Sequence, residues 1–543
     1  IAAAYVAGAR RARPAAPPAV TFRQLTFRPQ TIFQAASSAD GRTIVYSAAL
    51  QGNDPEVFAM DPEFPEPRRL GLSGVQLLSV SSKGEMALLT HAKWVGHRLF
   101  QGTLARMSIG GGAPREILEG VRQAVWSPDG AALAIVRDVD GKDRLEYPVG
   151  KVLHEVSGYL SDPTFSPRGD RIAFLEHPVK YDDRGTVDVV DLAGKVRVLS
   201  REYWGLEGTG WSPDGSEIIF SAGTGYSNFA IYRVTLSGVT RPALLSAGGL
   251  TFHARLPGGR WLVTRDDQQR GMMGLGPGET RERDLAWMEL SEPAALSRDG
   301  TTLLFTEEGT GAGLNYAVCL RKTDGSPVVR LGDGFGADLS PDGRWALSMI
   351  FTTPARALLY PTGPGQAKPL ERGNLDQYRY GQFFADGKRV LLEASEAGHA
   401  PRCYVQDLAD GSPRPVTPEG TSQCILGPDG GRILAATADG RWGLYPVSGG
   451  TPAPVAGIAP DESVSRFSPD GLSVVVFERS RVPARVSRVD LSDGRRTLLK
   501  EIAPRDLSGV LSVSSYLESG DGTSYVYSYF KDQTQLYLVS GMR

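Results

Sequence analysis

The sequence predicts an all-β fold of tandem β-propellers, with about twelve four-stranded blades arranged as two six-bladed rings. Three observations support this prediction. A turn with an Asp-Gly corner, or a variant of it, recurs about every 44 residues, which is the length of a propeller blade. Segments of strand character follow these turns. The chain is also rich in glycine (65) and proline (37), as a fold with many turns requires.

The recurring turn is typical of a tight link between antiparallel strands. In its S-P-D-G form, proline presets the first turn position and Asp-Gly supplies a corner that tolerates a left-handed backbone. Each copy therefore marks one blade. The copies are SSADG (37–41), SSKG (81–84), WSPDG (126–130), FSPRG (165–169), WSPDG (211–215), LPGG (256–259), LSRDG (296–300), LSPDG (339–343), FADG (384–387), LGPDG (426–430), FSPDG (467–471) and ESGDG (518–522).

The segments between the turns have the composition of strands. Ala132–Val136, Arg171–Leu175 and Glu217–Phe220 are apolar or alternate between apolar and polar residues. A third strand follows, as in Phe229–Val234, and a second turn leads to a short outer strand such as Pro413–Thr417. Four strands in each repeat make one propeller blade.

The two ends of the chain indicate how the blades close. The last repeat ends with Gln535–Val539 and lacks an outer strand, whereas Phe22–Thr26 resembles an outer strand with no blade before it. We expect the N-terminal strand to complete the last blade, because this removes an open sheet edge. Propellers usually have four to eight blades, so we predict one ring over residues 20–288 and another over residues 289–543. Strand exchange between the rings and insertion of one ring into the other both stay open.

Residues 1–19 are interpreted as a tether. Ile1–Gly8 is apolar but shorter than the roughly 20 residues that span a bilayer, so it fits the end of a membrane helix that begins upstream, or an Ala-rich leader. Pro14–Pro18 is typical of a stiff, extended linker. We expect membrane contact only through a segment upstream of residue 1.

Charge and cysteine content narrow the possible functions. The formal net charge of −2 gives no basic footprint, so we predict no nucleic-acid partner. Cys319, Cys403 and Cys424 are too few for a disulfide framework and lack zinc-ligand spacing, so we interpret them as small buried residues; an approach of Cys403 to Cys424 across neighbouring blades stays open. Asp138–Asp143 has the spacing of a partial calcium loop, but it lacks the distal glutamate and is expected to be a hairpin turn. We predict no metal and no cofactor.

The repeats resemble the WD40-like propeller repeats of TolB. Several segments also resemble the C-terminal region of bacterial membrane-anchored serine/threonine protein kinases: Asp40–Ser47, Asp191–Lys195, Asn315–Val318, Leu320–Ser326 and Ser524–Ser528. The resemblance covers the chain from about Phe22 to its end. It implies a kinase domain and one membrane helix upstream, with the propellers as an extracytoplasmic (periplasmic) sensor region. One feature favours the cytoplasmic side instead, because arginines beside a membrane segment are typical of that side: the chain has Arg10, Arg11 and Arg13.

No catalytic constellation is readable from the sequence. It contains no G-x-S-x-G elbow, no phosphate-binding loop and no complete set of kinase motifs, and its six histidines are scattered. We therefore predict that this chain is not itself an enzyme and has no catalytic residues. The predicted function is a sensor or interaction region of a kinase. The alternatives are a TolB-like periplasmic scaffold and a hydrolase that uses residues of a propeller channel.

A protein or small-ligand partner is expected on one face of a ring. The loops between second and third strands, and those between blades, offer the positions, and aromatic residues and arginine are the usual anchors. The alternative for each candidate is local packing, and we assign Trp126 and Trp211 to the core. The candidate binding residues are Trp94, Arg98, Tyr181, Arg184, Tyr226 and Asn228.

Overall fold

The computed structural model describes residues 19–96, 98–178, 180, 182–223, 229–246, 248–313, 315–352, 354–409 and 411–542. Over these residues the chain forms twelve four-stranded antiparallel blades and two single turns of 3-10 helix, Pro257–Gly259 and Thr310–Ala312. The innermost strands contact one another in two closed circles of six. The predicted all-β fold of tandem propellers is therefore confirmed. We call the circles ring 1 (blades 1–6) and ring 2 (blades 7–12).

Ring 1 is built mainly from the N-terminal half of the chain, and its blades follow the sequence order. Blades 2 and 3 share one long strand, whose first part is the outer strand of blade 2 and whose second part is the innermost strand of blade 3. The strands are Thr31–Ser37, Ile44–Ala49, Glu56–Asp61 and Phe64–Ser73 (blade 1); Gln76–Val80, Glu85–Gly96, Leu99–Ser108 and the shared Arg115–Trp126 (blade 2); Leu133–Val139, Lys142–Glu146 and Val152–Val156 (blade 3); Tyr159–Phe165, Arg171–His177, Thr186–Asp191 and Val196–Val198 (blade 4); Gly205–Trp211, Glu217–Gly223, Phe229–Thr235 and Thr240–Leu244 (blade 5); and Gly249–Leu256, which begins blade 6.

Ring 2 follows the same plan, with the innermost strand first in each blade. Its strands are Ser291–Leu296, Thr302–Glu307, Ala317–Lys322 and Val329–Asp333 (blade 7); Phe335–Leu339, Trp345–Ile350, Arg356–Pro361 and Lys368–Pro369 (blade 8); Leu375–Phe383, Arg389–Glu396, Arg402–Asp407 and Arg414–Pro415 (blade 9); Ser422–Leu426, Arg432–Ala436, Trp442–Pro446 and Ala453–Val455 (blade 10); Glu462–Phe467, Ser473–Glu478, Ala484–Asp490 and Arg496–Ile502 (blade 11); and Val510–Glu518, which begins blade 12.

Two strands of 16 residues belong to both rings. We call Arg260–Leu275 bridging strand 1 and Tyr525–Ser540 bridging strand 2. The two pair with each other along their length; one end of the pair completes blade 6 in ring 1, and the other end, with the short strand Arg283–Asp284, completes blade 12 in ring 2. Each ring therefore takes strands from both halves of the chain, and the domain limits at 20–288 and 289–543 stay a prediction.

The N-terminal strand Thr21–Gln24 pairs with the end of bridging strand 2, from Thr21 opposite Ser540 to Gln24 opposite Tyr537. The predicted pairing of the chain's two ends is confirmed. The blade that it completes is blade 6 rather than blade 12, because bridging strand 2 continues from ring 2 into ring 1 without a turn. No glycine or proline interrupts Tyr525–Ser540.

The two rings present the same face to each other. The innermost strand of blade 6 begins opposite Asp266, and that of blade 12 begins opposite Lys531, near the middle of the bridging pair. From there the two strands run in opposite directions. The loops between second and third strands of both rings consequently lie in the space between the rings. Asn53 crosses this space, because its Nδ2 donates to the carbonyl oxygens of Ser480 (2.7 Å) and Leu511 (2.8 Å) in ring 2.

The S-P-D-G turns close through their own side chains. In blade 3, Ser127 Oγ donates to Asp129 Oδ1 (2.6 Å), and the backbone N–H of Ala131 donates to the same oxygen (3.0 Å). Gly130 occupies the left-handed corner at φ 64°. In the equivalent turn of blade 5, the Ser212 hydroxyl and nearby N–H donors lower the pKa of Asp214 to about 2. The turn is therefore encoded locally, which explains its recurrence along the chain.

The hydrophobic core lies between adjacent blades. Trp211 packs there with Leu175 of blade 4 and Phe220 of blade 5, and its Nε1 donates to the Thr164 carbonyl oxygen at 3.0 Å. Trp126 and Trp211 are both buried, so their assignment to the core is confirmed.

A disulfide joins two blades of ring 2. Cys403, on the third strand of blade 9, is bonded to Cys424, on the innermost strand of blade 10. Both residues are buried, as interpreted, and the approach across neighbouring blades that the sequence left open is present, because blade-to-blade packing brings their Cα atoms within 6.1 Å. Cys319 is free and buried, as interpreted.

Among the described residues, no helix is long and apolar enough to cross a membrane.

Candidate functional site

The axis of ring 1 contains a polar pocket at the end that faces ring 2. The pairing of the innermost strands is irregular here: the register shifts around Asp162 in blade 4, Gly208 in blade 5 and His253 in blade 6. The Asp162 and His253 side chains and the Gly208 backbone line the pocket. Asp162 and Gly208 have positive φ angles of 49° and 59°. A wider channel of about 370 Å³ continues along the axis from this pocket. β-Bulges of this kind commonly re-aim side chains beside functional sites.

Arg98 closes the pocket from the side of ring 2. Its guanidinium lies 3.1 Å from Glu207 of blade 5, 2.8 Å from Asp266 on bridging strand 1 and 3.4 Å from Asp532 on bridging strand 2. Burial opposes the positive charge, but these three carboxylates hold the pKa of Arg98 well above its ordinary value. The side chain is only 10% exposed. Arg98 therefore fastens ring 1 to both bridging strands and is held inside the protein.

His253 stands in the same pocket as a neutral residue. Its Nδ1 lies 3.0 Å from Gln34 Oε1 and its Nε2 lies 3.0 Å from Thr264 Oγ1. Burial, reinforced by the nearby positive charge of Arg98, lowers the pKa of His253 to about 3. Burial also raises the pKa of Asp162. The pocket thus contains groups whose protonation differs from that in water, a frequent feature of functional sites.

Ser161 and His177 form a hydrogen-bonded pair at the wall of this pocket. The hydroxyl of Ser161 lies 3.0 Å from His177 Nε2, and His177 Nδ1 lies 3.1 Å from the carbonyl oxygen of Arg184. A carbonyl oxygen can only accept, so Nδ1 carries the proton and Nε2 accepts from Ser161. Tyr159 stacks on the imidazole with ring centroids 4.0 Å apart. This is the relation of a nucleophile to its base, with a backbone carbonyl in the orienting position.

A second cavity, of about 450 Å³, opens between the two rings. We call it the inter-ring cleft. Ring 1 contributes Asp182, Arg184 and Trp204, and ring 2 contributes residues from the loops and strand ends of blades 7, 8 and 9. The ring 2 residues are Asn315, Tyr316, Phe351, Thr352, Ala355, Asp376, Gln377 and Tyr378.

Aromatic side chains are exposed on both walls of the inter-ring cleft. Trp204 is 45% exposed and Phe351 is 53% exposed. The guanidinium of Arg184 lies over the Trp204 ring at 4.6 Å from its centroid. Tyr316 has a left-handed backbone, with φ 61°, which is uncommon for an aromatic residue. A backbone held in this conformation is more frequent at binding and active sites than elsewhere.

The predicted binding residues have different surroundings. Arg184 lies in the inter-ring cleft with its side chain 41% exposed. Arg98 is held by the three carboxylates of the ring 1 pocket, and Trp94 packs against the hydrophobic cluster that contains Phe33 and Leu104. Tyr181, Tyr226 and Asn228 lie outside the described residues.

Sequence reasoning did not find the aromatic residues of the cleft. Trp204 and Phe351 each stand alone in a loop, and only the opposition of the two rings brings them to one cavity. Their position in the repeat is the signal that could have identified them. Trp204 precedes the innermost strand of blade 5, and Phe351 follows the second strand of blade 8. Both connections belong to the face that the sequence analysis had selected for binding.

The acidic segment Asp138–Asp143 is a hairpin turn between two strands of blade 3. Gly141 N donates to Asp138 Oδ1 at 3.0 Å, and Lys180 Nζ forms an ion pair with Asp138. Asp143 is paired with Arg122. The turn interpretation is therefore confirmed. Among the described residues, no group of three or more His, Cys, Asp and Glu side chains is arranged to hold a metal ion.

No protein-family model and no curated protein sequence matches the chain. Solved structures do match. The tricorn protease is 14% identical with a TM-score of 0.31; the match covers 93% of this chain and 58% of that one. A GH74 enzyme from Niastella koreensis is 11% identical with a TM-score of 0.34, covering 93% and 90%. The oligogalacturonate lyase from Vibrio parahaemolyticus is 11% identical with a TM-score of 0.31, covering 64% and 97%.

These proteins are enzymes by their names, so the prediction that this chain is not an enzyme was wrong. A propeller fold without recognisable catalytic motifs does not exclude an enzyme. At these identities the likeness shows the fold alone and assigns no reaction to this chain.

Proposed function

We propose that the chain is a recognition module that binds its ligand in the inter-ring cleft. The observation that carries this proposal is that both rings turn the same loop-bearing face toward one cavity, with exposed aromatic residues on each wall. The cavity volume of about 450 Å³ is in the usual range for small-ligand sites. Arg98 and Asn53 hold the rings in place, so the two walls are positioned before a ligand arrives.

A ligand panel tests this proposal. Thermal unfolding of the purified chain is followed with peptides, oligosaccharides, nucleotides and lipids, each added in excess. At least one class should raise the unfolding midpoint, because a ligand that binds only the folded state stabilises it. The Trp204→Ala/Phe351→Ala double variant should lose that shift. Phe64→Ala is the matched control, since Phe64 is 78% exposed in a hairpin on the opposite face of ring 1. An unchanged shift in the double variant, or no shift with any class, would refute recognition in the cleft.

We further propose that this module is the extracytoplasmic sensor region of a membrane-anchored serine/threonine kinase with TolB-like repeats. The resemblance in the sequence supports the kinase link. The Cys403–Cys424 disulfide supports the extracytoplasmic location, since disulfides persist in oxidising compartments. Determining the coding sequence upstream of Ile1 tests both points. Kinase motifs followed by a full-length apolar span are expected; a cleavable signal peptide would favour a TolB-like periplasmic scaffold instead.

A second candidate function is acyl hydrolysis at Ser161, and the hydrogen bond to His177 Nε2 favours it. In such a step the Ser161 hydroxyl proton passes to His177 while Oγ bonds the substrate carbonyl carbon. The bond to the leaving group then breaks, the leaving group takes that proton, and water releases the acyl group. A fluorophosphonate probe should label Ser161, and Ser161→Ala should abolish labelling, whereas Ser79→Ala, elsewhere along the same axis, should not. Absence of labelling would rule out this candidate.

A further inference from the structure

The charge and polarity of the side chains that line the inter-ring cleft can select a class of ligand. The charged side chains that line it are the carboxylates of Asp182 and Asp376 and the guanidinium of Arg184. An anionic ligand would meet two carboxylates and one guanidinium, so the lining disfavours phosphate esters and acidic polymers.

A cationic ligand is disfavoured for a different reason. Cations are commonly held over the face of an aromatic ring, and tryptophan provides the strongest such site. In this cleft the guanidinium of Arg184 already occupies one face of Trp204, at 4.6 Å from the ring centroid. The cation position on that face of Trp204 is therefore already filled by the protein itself, so a ligand ammonium gains no cation–π contact there. The lining favours a ligand without net charge.

The remaining polar groups can both donate and accept hydrogen bonds. Asn315 and Gln377 carry side-chain amides with both capacities and are exposed at the cleft. The exposed hydroxyl of Thr352 donates to the Pro354 carbonyl oxygen at 2.8 Å and can still accept. Next to them stand apolar ring faces, of which Trp204 and Phe351 are the most exposed. Phe335 lies beside Phe351, with ring centroids 6.0 Å apart, and helps to fix its orientation.

A pyranose has both complementary surfaces: an apolar face of C–H groups that packs on an aromatic ring, and hydroxyls that pair with amides and carboxylates. We propose that the inter-ring cleft binds a neutral oligosaccharide, with Trp204 and Phe351 against sugar rings and Asn315, Gln377 and Asp376 on hydroxyl groups. This inference rests on the proposed recognition function and names the ligand class of the same site.

Isothermal titration of the full chain tests the ligand class. The neutral probes are cellotriose, maltotriose, xylotriose and chitotriose. Trigalacturonate, chitosan trimer and an uncharged hexapeptide of serine and glycine represent the anionic, cationic and peptide alternatives. At least one neutral trisaccharide should bind, and Trp204→Ala and Phe351→Ala should each weaken its binding about tenfold, the usual effect of truncating a central aromatic anchor. Phe64→Ala should leave the affinity unchanged.

The outcomes distinguish failure of the carbohydrate inference from failure of the proposed recognition function. If trigalacturonate, the chitosan trimer or the hexapeptide binds in a Trp204-dependent manner and no neutral sugar does, the carbohydrate class is overturned while recognition in the cleft stands. If no neutral sugar binds, or if binding is unaffected by both aromatic substitutions, the carbohydrate inference fails. If, in addition, no other probe depends on Trp204 or Phe351, the recognition function fails with it. Each variant is first checked for an unchanged circular dichroism spectrum and unfolding midpoint, which exposed positions should preserve.

Discussion

Removal of the Cys403–Cys424 disulfide should destabilise ring 2 measurably. The bond joins the third strand of blade 9 to the innermost strand of blade 10, at a sequence separation of 21 residues. It lies in the hydrophobic cluster between these blades, beside Phe384 and Tyr445. Reduction keeps both sulfur atoms and cuts only the cross-link, so it is a cleaner perturbation than substitution.

The magnitude follows from the length of the closed loop. The chain-entropy relation gives about 3.3 kcal/mol of stabilisation at 25 °C for a loop of about 21 residues. If ring 2 unfolds by itself, this corresponds to about 6–12 °C in the unfolding midpoint, and if both rings unfold as one unit, to about half of that, because the unfolding entropy grows with the size of the unit. We expect the smaller shift, since the bridging strands make blades 6 and 12 parts of one sheet.

Differential scanning calorimetry with and without a phosphine reductant measures the effect. The matched control is the Cys403→Ala/Cys424→Ala variant, whose midpoint should not respond to the reductant. Alkylation of the native protein followed by mass spectrometry should leave Cys403 and Cys424 unmodified until reduction. Alkylation of both residues without reductant would refute the disulfide. A midpoint that is unchanged when the bond is reduced would refute the estimate of its contribution.

Three further substitutions test the ring 1 pocket, each by unfolding in denaturant. Arg98→Met should cost about 3–5 kcal/mol at pH 7, because it leaves its carboxylate partners buried without their cation; a loss below about 1 kcal/mol would contradict this. The pKa of His253 is about 3 in the folded chain and near 6.5 when unfolded, so the unfolded state binds the proton first and stability falls as pH drops from about 6.5 toward 3; His253→Gln should flatten that part of the profile. Gly208→Ala should cost about 2–4 kcal/mol, because φ is 59° and the added Cβ would collide with the Phe252 carbonyl, whereas Gly343→Ala, also at positive φ but with open space, should cost about 1 kcal/mol.

The blades could be predicted from the sequence because their signals are local. In each S-P-D-G turn, the serine hydroxyl, the aspartate and the glycine corner interact within five residues, as Ser127 and Asp129 do. Strand alternation is also local. The bridging strands could not be predicted in this way. Bridging strand 2 looks like an ordinary end of a repeat, and its pairing with Arg260–Leu275 joins segments more than two hundred residues apart.

The candidate site was harder to predict than the fold, for the same reason. The sequence analysis selected the loops between second and third strands and one residue that lies in the cleft, Arg184. An exposed aromatic residue in a loop carries no pattern that marks it as a ligand contact. Arg98 was selected as a binding anchor because arginine in such a loop is a common interface residue. Its burial could not be predicted, because its charged partners are distant in sequence: Glu207 is in blade 5, and Asp266 and Asp532 are on the bridging strands. Burial of an arginine depends on such partners and cannot be read from its neighbours in the chain.

The bridging strands also determine how the rings can respond to a ligand. They pair over fifteen consecutive positions, from Trp261 opposite Val539 to Leu275 opposite Tyr525, without a register shift. Asn53 of blade 1 fastens the rings on one side by its hydrogen bonds to ring 2. The inter-ring cleft lies at blade 4, which is across ring 1 from blade 1. Because the ribbon and the Asn53 contacts fix the rings on one side, a ligand that contacts Trp204 and Phe351 together joins them on the opposite side. Binding in the cleft should therefore stabilise the two-ring arrangement against separation.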